Sequence, residues 1–202
     1  MVLTRPRYDR IAPVYDLVQG SLELPIRHCR RELWARIGAG QVLEVGVGTG
    51  KNIRFYPPDA AVTAIDLSPR MLNRARSKAR QQRFSVRFQL ADVQHLPYQN
   101  QRFDVVVGTF VFFAVPDPIL ALGEVRRVLK PGGKLLLLEH VLSERRFFRG
   151  LMKLLDPVSS HLWGAHIDRD TVAQVRAIGF NDVRVDNLAL DIIRRIEAQA
   201  PP

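Results

Sequence analysis

The chain has 202 residues, 47% of them hydrophobic and 25% charged, enough apolar material for one core and too balanced for a disordered or fibrous chain. Its single cysteine, Cys29, excludes an internal disulfide and a paired-cysteine metal or redox site, and no metal is expected. The net charge of +10 asks for an anionic partner: nucleic acid, an anionic membrane surface or an acidic substrate.

Met1–Arg10 is too polar for the apolar core of a signal peptide, and no stretch approaches the ~20 apolar residues of a membrane span. The reading is a cytoplasmic protein of one domain over 1–202. It divides into an N-terminal helical cap (1–40), a core (41–140) and a region of added helices and closing strands (141–202). In the cap, Pro25–Ile37 has Ile26, Cys29, Leu33 and Ile37 on one face against Arg27, Arg30 and Arg31.

Gln41–Gly46 reads as a buried strand, Gly46–Gly50 as a turn, and the residues to about Phe55 as a helix. Ala61–Asp66 is a second strand. Ser68 caps the next helix with Pro69 at its first position, placing Met71, Leu72, Ala75 and Ala79 on one face. Ser85–Leu90 and Phe103–Gly108 are strands. Asp117 and Pro118 open a helix that stops at Lys130-Pro131-Gly132-Gly133, before a fifth strand, Lys134–Glu139. Helices follow over about Ser143–Leu155 and Thr171–Ile178, then a closing pair of strands, Asn181–Asn187 and Asp191–Glu197. Apolar strands alternating with helices predict a mostly parallel sheet with helices on both faces.

The turn Leu43-Glu44-Val45-Gly46-Val47-Gly48-Thr49-Gly50 carries the chemistry. Glycines there let a ligand approach the backbone, and amides at the following helix would favour an anion. In a dinucleotide-binding loop the third glycine falls three residues after the second. Here that position is Lys51, and Gly50 comes one residue early. The loop suits a ligand whose anion is a single carboxylate, such as S-adenosylmethionine. Asp66, ending the second strand, is placed to accept from both ribose hydroxyls. Asp92, after the third, is placed to accept from the adenine amine, with Ala91 and Val93 flanking the ring.

These residues, with Tyr8–Asp16, Phe103-Asp104-Val105-Val106, Val128–Gly133 and Leu138-Glu139-His140, resemble the class I methyltransferases of Rossmann-like α/β fold with a seven-stranded sheet. The similar branch contains the ubiquinone/menaquinone C-methyltransferases and the bacterial phosphatidylethanolamine N-methyltransferases. Leu155-Asp156-Pro157, His161, Gly164–Asp168 and Ile192–Ala198 resemble the short phospholipid N-methyltransferases more. A group that methylates small thiols shares the Glu-His tag. The resemblance implies S-adenosylmethionine as cofactor, with Tyr15 near its methionine end. It implies a pocket of Glu44, Gly46, Gly48, Asp66, Leu67 and Asp92, with Met71, Ala91, Val93 and Thr109 beside them.

A methyl acceptor must present a lone pair, so an amine must first lose its proton. His140, His166 and Asp168 are the candidate bases, and Tyr15 a further catalytic candidate. Tyr15, Phe110, Phe112 and Phe113 are candidate aromatic faces for a methylated ammonium. Base methyltransferases are disfavoured despite the charge: Gly108-Thr109-Phe110-Val111-Phe112 replaces the Asn/Asp-Pro-Pro-aromatic motif, and Cys29 is far from that strand. No nucleic acid is therefore expected. In Ser143–Leu155, Phe147, Phe148, Leu151, Met152 and Leu155 share one face beside Arg145, Arg149 and Lys153, a pattern for lying on anionic lipid or for a packed lid. The cluster Arg70–Arg87, with no acid in it, reads as a solvated helix face. The expected activity is N-methylation of phosphatidylethanolamine by a peripheral membrane enzyme. C-methylation of a quinone precursor and thiol methylation are the enzymatic alternatives. A cofactor-binding regulatory module is the non-enzymatic one.

Overall fold

The computed structural model describes residues 23–140, 169–189 and 193–202. Seven strands make one sheet: β1 (Gly40–Val45), β2 (Ala60–Asp66), β3 (Arg87–Leu90), β4 (Phe103–Thr109), β5 (Leu129–His140), β6 (Asn181–Ala189) and β7 (Ile193–Gln199). Their order is β3-β2-β1-β4-β5-β7-β6. The first five run parallel, with Val45 beside Ile65 of β2 and Gly108 of β4. β7 is antiparallel to both β5 and β6, the closing pair read from the sequence. Winding proceeds outward from β1 in both directions, which leaves a crevice at the carboxyl ends of β1 and β4.

The continuous apolar runs of the central strands follow from burial on both faces. On one face α1 (Glu23–Trp34) and α2 (Pro69–Gln81) bring Leu33, Trp34, Leu72 and Ala75 onto Val42, Val62, Val107 and Leu136. On the other, α3 (Pro118–Val128) and α4 (Thr171–Ala177) bring Leu122, Val125 and Val175 onto Leu43, Val45, Val106 and Leu135. The expected caps are in place: Ser68 Oγ accepts from the Met71 amide at 3.1 Å and Asp117 Oδ1 from Leu120 at 3.0 Å. Met71, Leu72, Ala75 and Ala79 are the buried residues of α2. Ion pairs tie α1 and the turn after it to β7, the buried Arg195 with Glu32 of the helix at 3.7 Å and Glu197 with Arg36 of the turn at 3.0 Å.

Three local expectations are corrected. No α-helix follows the glycine turn; only a three-residue 3-10 segment, Ile53–Phe55, stands there. Its neighbours explain this, since Pro57 and Pro58 end the segment before a second turn can form. Lys130–Gly133 is not a break before a strand but part of β5, which begins at Leu129 and carries an irregular register against β4. Gly133 is required in that bend, where a Cβ would stand 2.8 Å from the Lys130 carbonyl. Asp104 locks the region by accepting from Gln41 N at 2.8 Å and Lys130 Nζ at 2.6 Å, which holds its carboxyl below the usual range. Finally, the face assigned to Arg27, Arg30 and Arg31 splits. Arg27 and Arg31 are exposed, while Arg30 is only 6% exposed.

Candidate functional site

A pocket crosses the carboxyl ends of four neighbouring strands in spatial order. Ala91, Asp92 and Val93 line it after β3, Asp66 and Leu67 at β2, Gly46–Thr49 after β1, and Thr109 and Phe110 at β4. Three interstrand steps of about 4.8 Å make a trough roughly 14 Å long, suited to an elongated ligand. Met71 of α2 also lines it.

The three turn glycines all have positive φ, but they serve different ends. A Cβ on Gly46 would stand 2.5 Å from Val111 Cγ2, and one on Gly50 would stand 2.6 Å from Ile53 Cδ1. Those two let the turn pack against its neighbours. A Cβ on Gly48 would meet nothing within 4 Å among the described residues beyond its chain neighbours. Gly48 therefore leaves room for something other than protein. Asp66 fastens this turn as well as facing the pocket: Oδ2 accepts from Gly48 N at 2.8 Å and Oδ1 from Ser68 N at 2.9 Å. Asp92 is held by Gln94, whose amide reaches Oδ1 at 2.9 Å.

Glu44, expected in the pocket wall, is beneath it. Its side chain is fully buried and accepts from Asn52 Nδ2 and Tyr56 Oη. Burial pushes its carboxyl from 4.5 up to about 7, opposed by Tyr56, Asn52 and the nearby Arg30. Asn52 also donates to Thr109 Oγ1 at 2.9 Å and accepts from Arg30 Nη1 at 2.9 Å. Arg30 Nη1 donates to Thr109 Oγ1 at 2.8 Å, and its guanidinium carbon lies 5.2 Å from the centre of the Phe110 ring. Arg30, Asn52 and Tyr56 were not singled out for the site from the sequence.

The wall beyond Thr109 is a constrained loop. Phe110 has φ 58, a conformation costly for a bulky residue, of the kind that recurs at functional sites. Glu139 Oε1 accepts from the amides of Val111 at 2.9 Å and Phe112 at 3.0 Å. Its side chain is fully buried, which raises its carboxyl from 4.5 to about 7 against those amides. Arg169 donates to the Phe112 carbonyl at 2.9 Å and to that of Val115. Of the candidate aromatic residues, Phe110 lines the pocket, Phe112 is core, and Phe113 is half-buried outside the lining. His140 pairs with Ile193 at the end of β5. Tyr15, His166 and Asp168 lie outside the described residues, as do Arg145, Phe147, Phe148, Arg149 and Lys153.

A methyltransferase-domain family model matches residues 43–137. A phosphatidylethanolamine N-methyltransferase of Cereibacter sphaeroides is 35% identical over 164 residues, 80% of this chain and 79% of that protein. The chain belongs to the S-adenosylmethionine-dependent methyltransferases. A thiol S-methyltransferase of Rattus norvegicus is 36% identical over 152 residues, 72% of this chain and 62% of that protein. A demethylmenaquinone methyltransferase of Deinococcus radiodurans is 39% identical over 139 residues, 65% of this chain and 58% of that protein. Among solved structures, a Haemonchus contortus phosphoethanolamine N-methyltransferase with S-adenosylmethionine superposes at TM-score 0.75 and 16% identity. That match covers all of this chain and 61% of the other.

The residues of this methyltransferase fit the donor. Two carboxylates, Asp66 and Asp92, line the β2 and β3 end and would serve as acceptors for a nucleoside's hydroxyls and amine, and Gly48 leaves open the approach to the backbone. Bound there, S-adenosylmethionine supplies an electrophilic methyl group on a sulfonium. The chain supplies alignment, which is most of what an in-line displacement requires. Among the described residues no helix is long and apolar enough to cross a membrane, and no cluster of three or more metal-ligating residues occurs.

Proposed function

We propose that this methyltransferase methylates the amine of phosphatidylethanolamine at the surface of an anionic membrane. The reading is supported by the match to the Cereibacter sphaeroides enzyme, 80% of one chain and 79% of the other; a Thermus thermophilus demethylmenaquinone methyltransferase matches as extensively, 79% of each, and the observation that favours an amine acceptor is Phe110 in the pocket lining. The likeness to the Cereibacter sphaeroides enzyme runs beyond the stretch 43–137 that the family model matches. Phe110, at the β4 end of the trough, offers an aromatic face suited to a methylated ammonium. His140 lies two residues beyond the β5 partner of Thr109, at the pocket end of the sheet, and is the proposed base with His166 and Asp168 as alternatives. Tyr15 is proposed to lie near the methionine end.

The test is incubation with labelled S-adenosylmethionine and, separately, phosphatidylethanolamine vesicles, demethylmenaquinone and a small thiol. Label is expected in the lipid. Label in the quinone or thiol with none in lipid overturns the proposal. Absence of turnover with every acceptor favours a regulatory module.

Membrane docking is proposed through Phe147, Phe148, Arg145, Arg149 and Lys153. Each basic side chain at an anionic surface contributes about 1 kcal/mol. Reversing Arg145, Arg149 and Lys153 to Glu is therefore expected to weaken co-sedimentation with anionic vesicles by orders of magnitude, and Phe147→Asp to weaken it too. Equal sedimentation of wild type and both variants removes this surface.

A further inference from the structure

We propose that Arg169 is a positioning residue of the methyl-transfer site, acting together with Glu139 through the loop that joins β4 to α3. Residues 110–117 form neither helix nor strand, yet Phe110, Val111, Ala114, Val115 and Pro116 all line the trough. Val111 also meets the glycine turn, since a Cβ on Gly46 would stand 2.5 Å from its Cγ2. The path of this loop therefore sets one wall of the trough and bears on the next.

The backbone bonds of the loop include Ala114 N to the Val111 carbonyl at 3.0 Å and Phe110 N to Leu138 of β5 at 2.7 Å. Further support comes from two charged side chains outside the loop, and they divide the task by chemistry. Glu139 accepts from the amides of Val111 and Phe112, while Arg169 donates to the carbonyls of Phe112 and Val115. Phe112 is thus held by both its N–H and its C=O. The Arg169 charge also favours the ionised form of Glu139 across the loop. These bonds matter because Phe110 stands at φ 58, a conformation costly for a bulky side chain. Such strain persists only where the surroundings over-determine it, and charge-assisted hydrogen bonds are the stronger kind.

Neither Glu139 nor Arg169 is among the residues that line the trough, so both act through the backbone they hold. Glu139 Oε2 is buried without a hydrogen-bond partner among the described residues, the mark of a group placed for a local task rather than for stability. In sequence the two residues stand on either side of residues 141–168, so both flanks of that stretch are tied to the same wall.

The test reads affinity at the donor site, so its outcome is independent of which acceptor is methylated. S-adenosylhomocysteine is titrated calorimetrically into wild type, Arg169→Met, Arg169→Lys, Phe110→Gly and the Arg169→Met/Phe110→Gly double variant. Leu122→Ala serves as a core control, and melting temperatures are measured alongside. Arg169→Met is expected to weaken binding roughly 3- to 30-fold, the range for a residue that acts on a ligand without touching it. Arg169→Lys keeps the charge and a donor, and is expected to recover part of that loss. Glycine adopts the left-handed conformation at position 110 without strain, so the loop then needs less holding. In the Phe110→Gly background Arg169→Met is expected to cost less than about twofold, the non-additivity of residues that act through one element. Leu122→Ala empties a fully buried position, and is expected to lower the melting temperature while leaving affinity within about twofold. If Arg169→Met does not fold, Arg169→Lys is compared in both backgrounds, and a loss confined to the protein with Phe110 supports the proposal. Unchanged affinity in Arg169→Met overturns it. An equal loss with phenylalanine and with glycine at position 110, or an equal loss in Leu122→Ala, assigns Arg169 to the fold alone and overturns it too. Each of these results leaves the family assignment intact, since wild type would still bind S-adenosylhomocysteine.

Discussion

Replacing Gly48 by Val separates donor binding from stability more cleanly than any other change in the turn. The backbone there has φ +55, and an L-residue held in that region costs roughly 1–2 kcal/mol, with a β-branched side chain at the upper end. Among the described residues, chain neighbours aside, no atom lies within 4 Å of the added Cβ, so no packing penalty is expected from them. For a domain of this size about 2 kcal/mol lowers the melting temperature by about 4–8 °C. The side chain would project into the trough where the ligand meets the backbone. Forcing it into a filled site costs roughly a further 1–3 kcal/mol, a fall in affinity of about 5- to 150-fold. Gly46→Ala provides the contrast. Its smaller methyl group would stand 2.5 Å from Val111 Cγ2 at φ +65, so strain and overpacking add. Gly46→Ala is expected to melt lower than Gly48→Val despite adding fewer atoms. Calorimetric titration with S-adenosylhomocysteine and thermal denaturation by circular dichroism measure both quantities. A Gly48→Val protein with wild-type affinity, or one less stable than Gly46→Ala, refutes the reasoning.

Asp66→Ala is expected to weaken donor binding by about tenfold or more, because hydrogen bonds to a charged acceptor contribute roughly 1.5–3 kcal/mol. It also removes the acceptor of the Gly48 and Ser68 amides, so a small loss of melting temperature accompanies it; unchanged affinity in the folded variant removes Asp66 from the site. Glu44 and Glu139 both rise from 4.5 to about 7 on folding, so the folded state retains two protons that the unfolded chain releases above pH ~4.5. Their contribution to stability is full below that pH and is lost as pH rises to about 7, by roughly 3 kcal/mol for each. Glu139→Gln is expected to remove about half of this slope in urea midpoints between pH 4.5 and 7.5; an unchanged slope rejects the assignment.

The sequence by itself determined the order of strands and helices, the glycine turn, the two acids that line the pocket at β2 and β3, and the helix caps. Each of these is a local property. The central strands are buried on both faces and so read as unbroken apolar runs. Ser68-Pro69 and Asp117-Pro118 announce helix starts through the chemistry of their own side chains. Asp66 and Asp92 follow from strand length, since each comes where the chain leaves the sheet.

What the tertiary structure decided is which side chains meet. Glu44 and Asp66 both sit at the carboxyl end of a strand, yet one is buried under Asn52 and Tyr56 and the other faces the pocket. Phe110 and Phe112 belong to one loop and separate into pocket and core only because Glu139 and Arg169 fix that loop's backbone. Arg30 shows the boundary most plainly. It lies four residues after Ile26 and three before Leu33, on the inward stripe of its helix, a placement that periodicity alone could have flagged. Its basic neighbours Arg27 and Arg31 drew it onto the basic face opposite Ile26, Cys29, Leu33 and Ile37. A buried arginine is stable only where neutral dipoles, an aromatic face and a nearby carboxyl surround it. Asn52, Thr109, Phe110 and Glu44 supply these from three separate stretches of chain, and only folding the sheet brings them together.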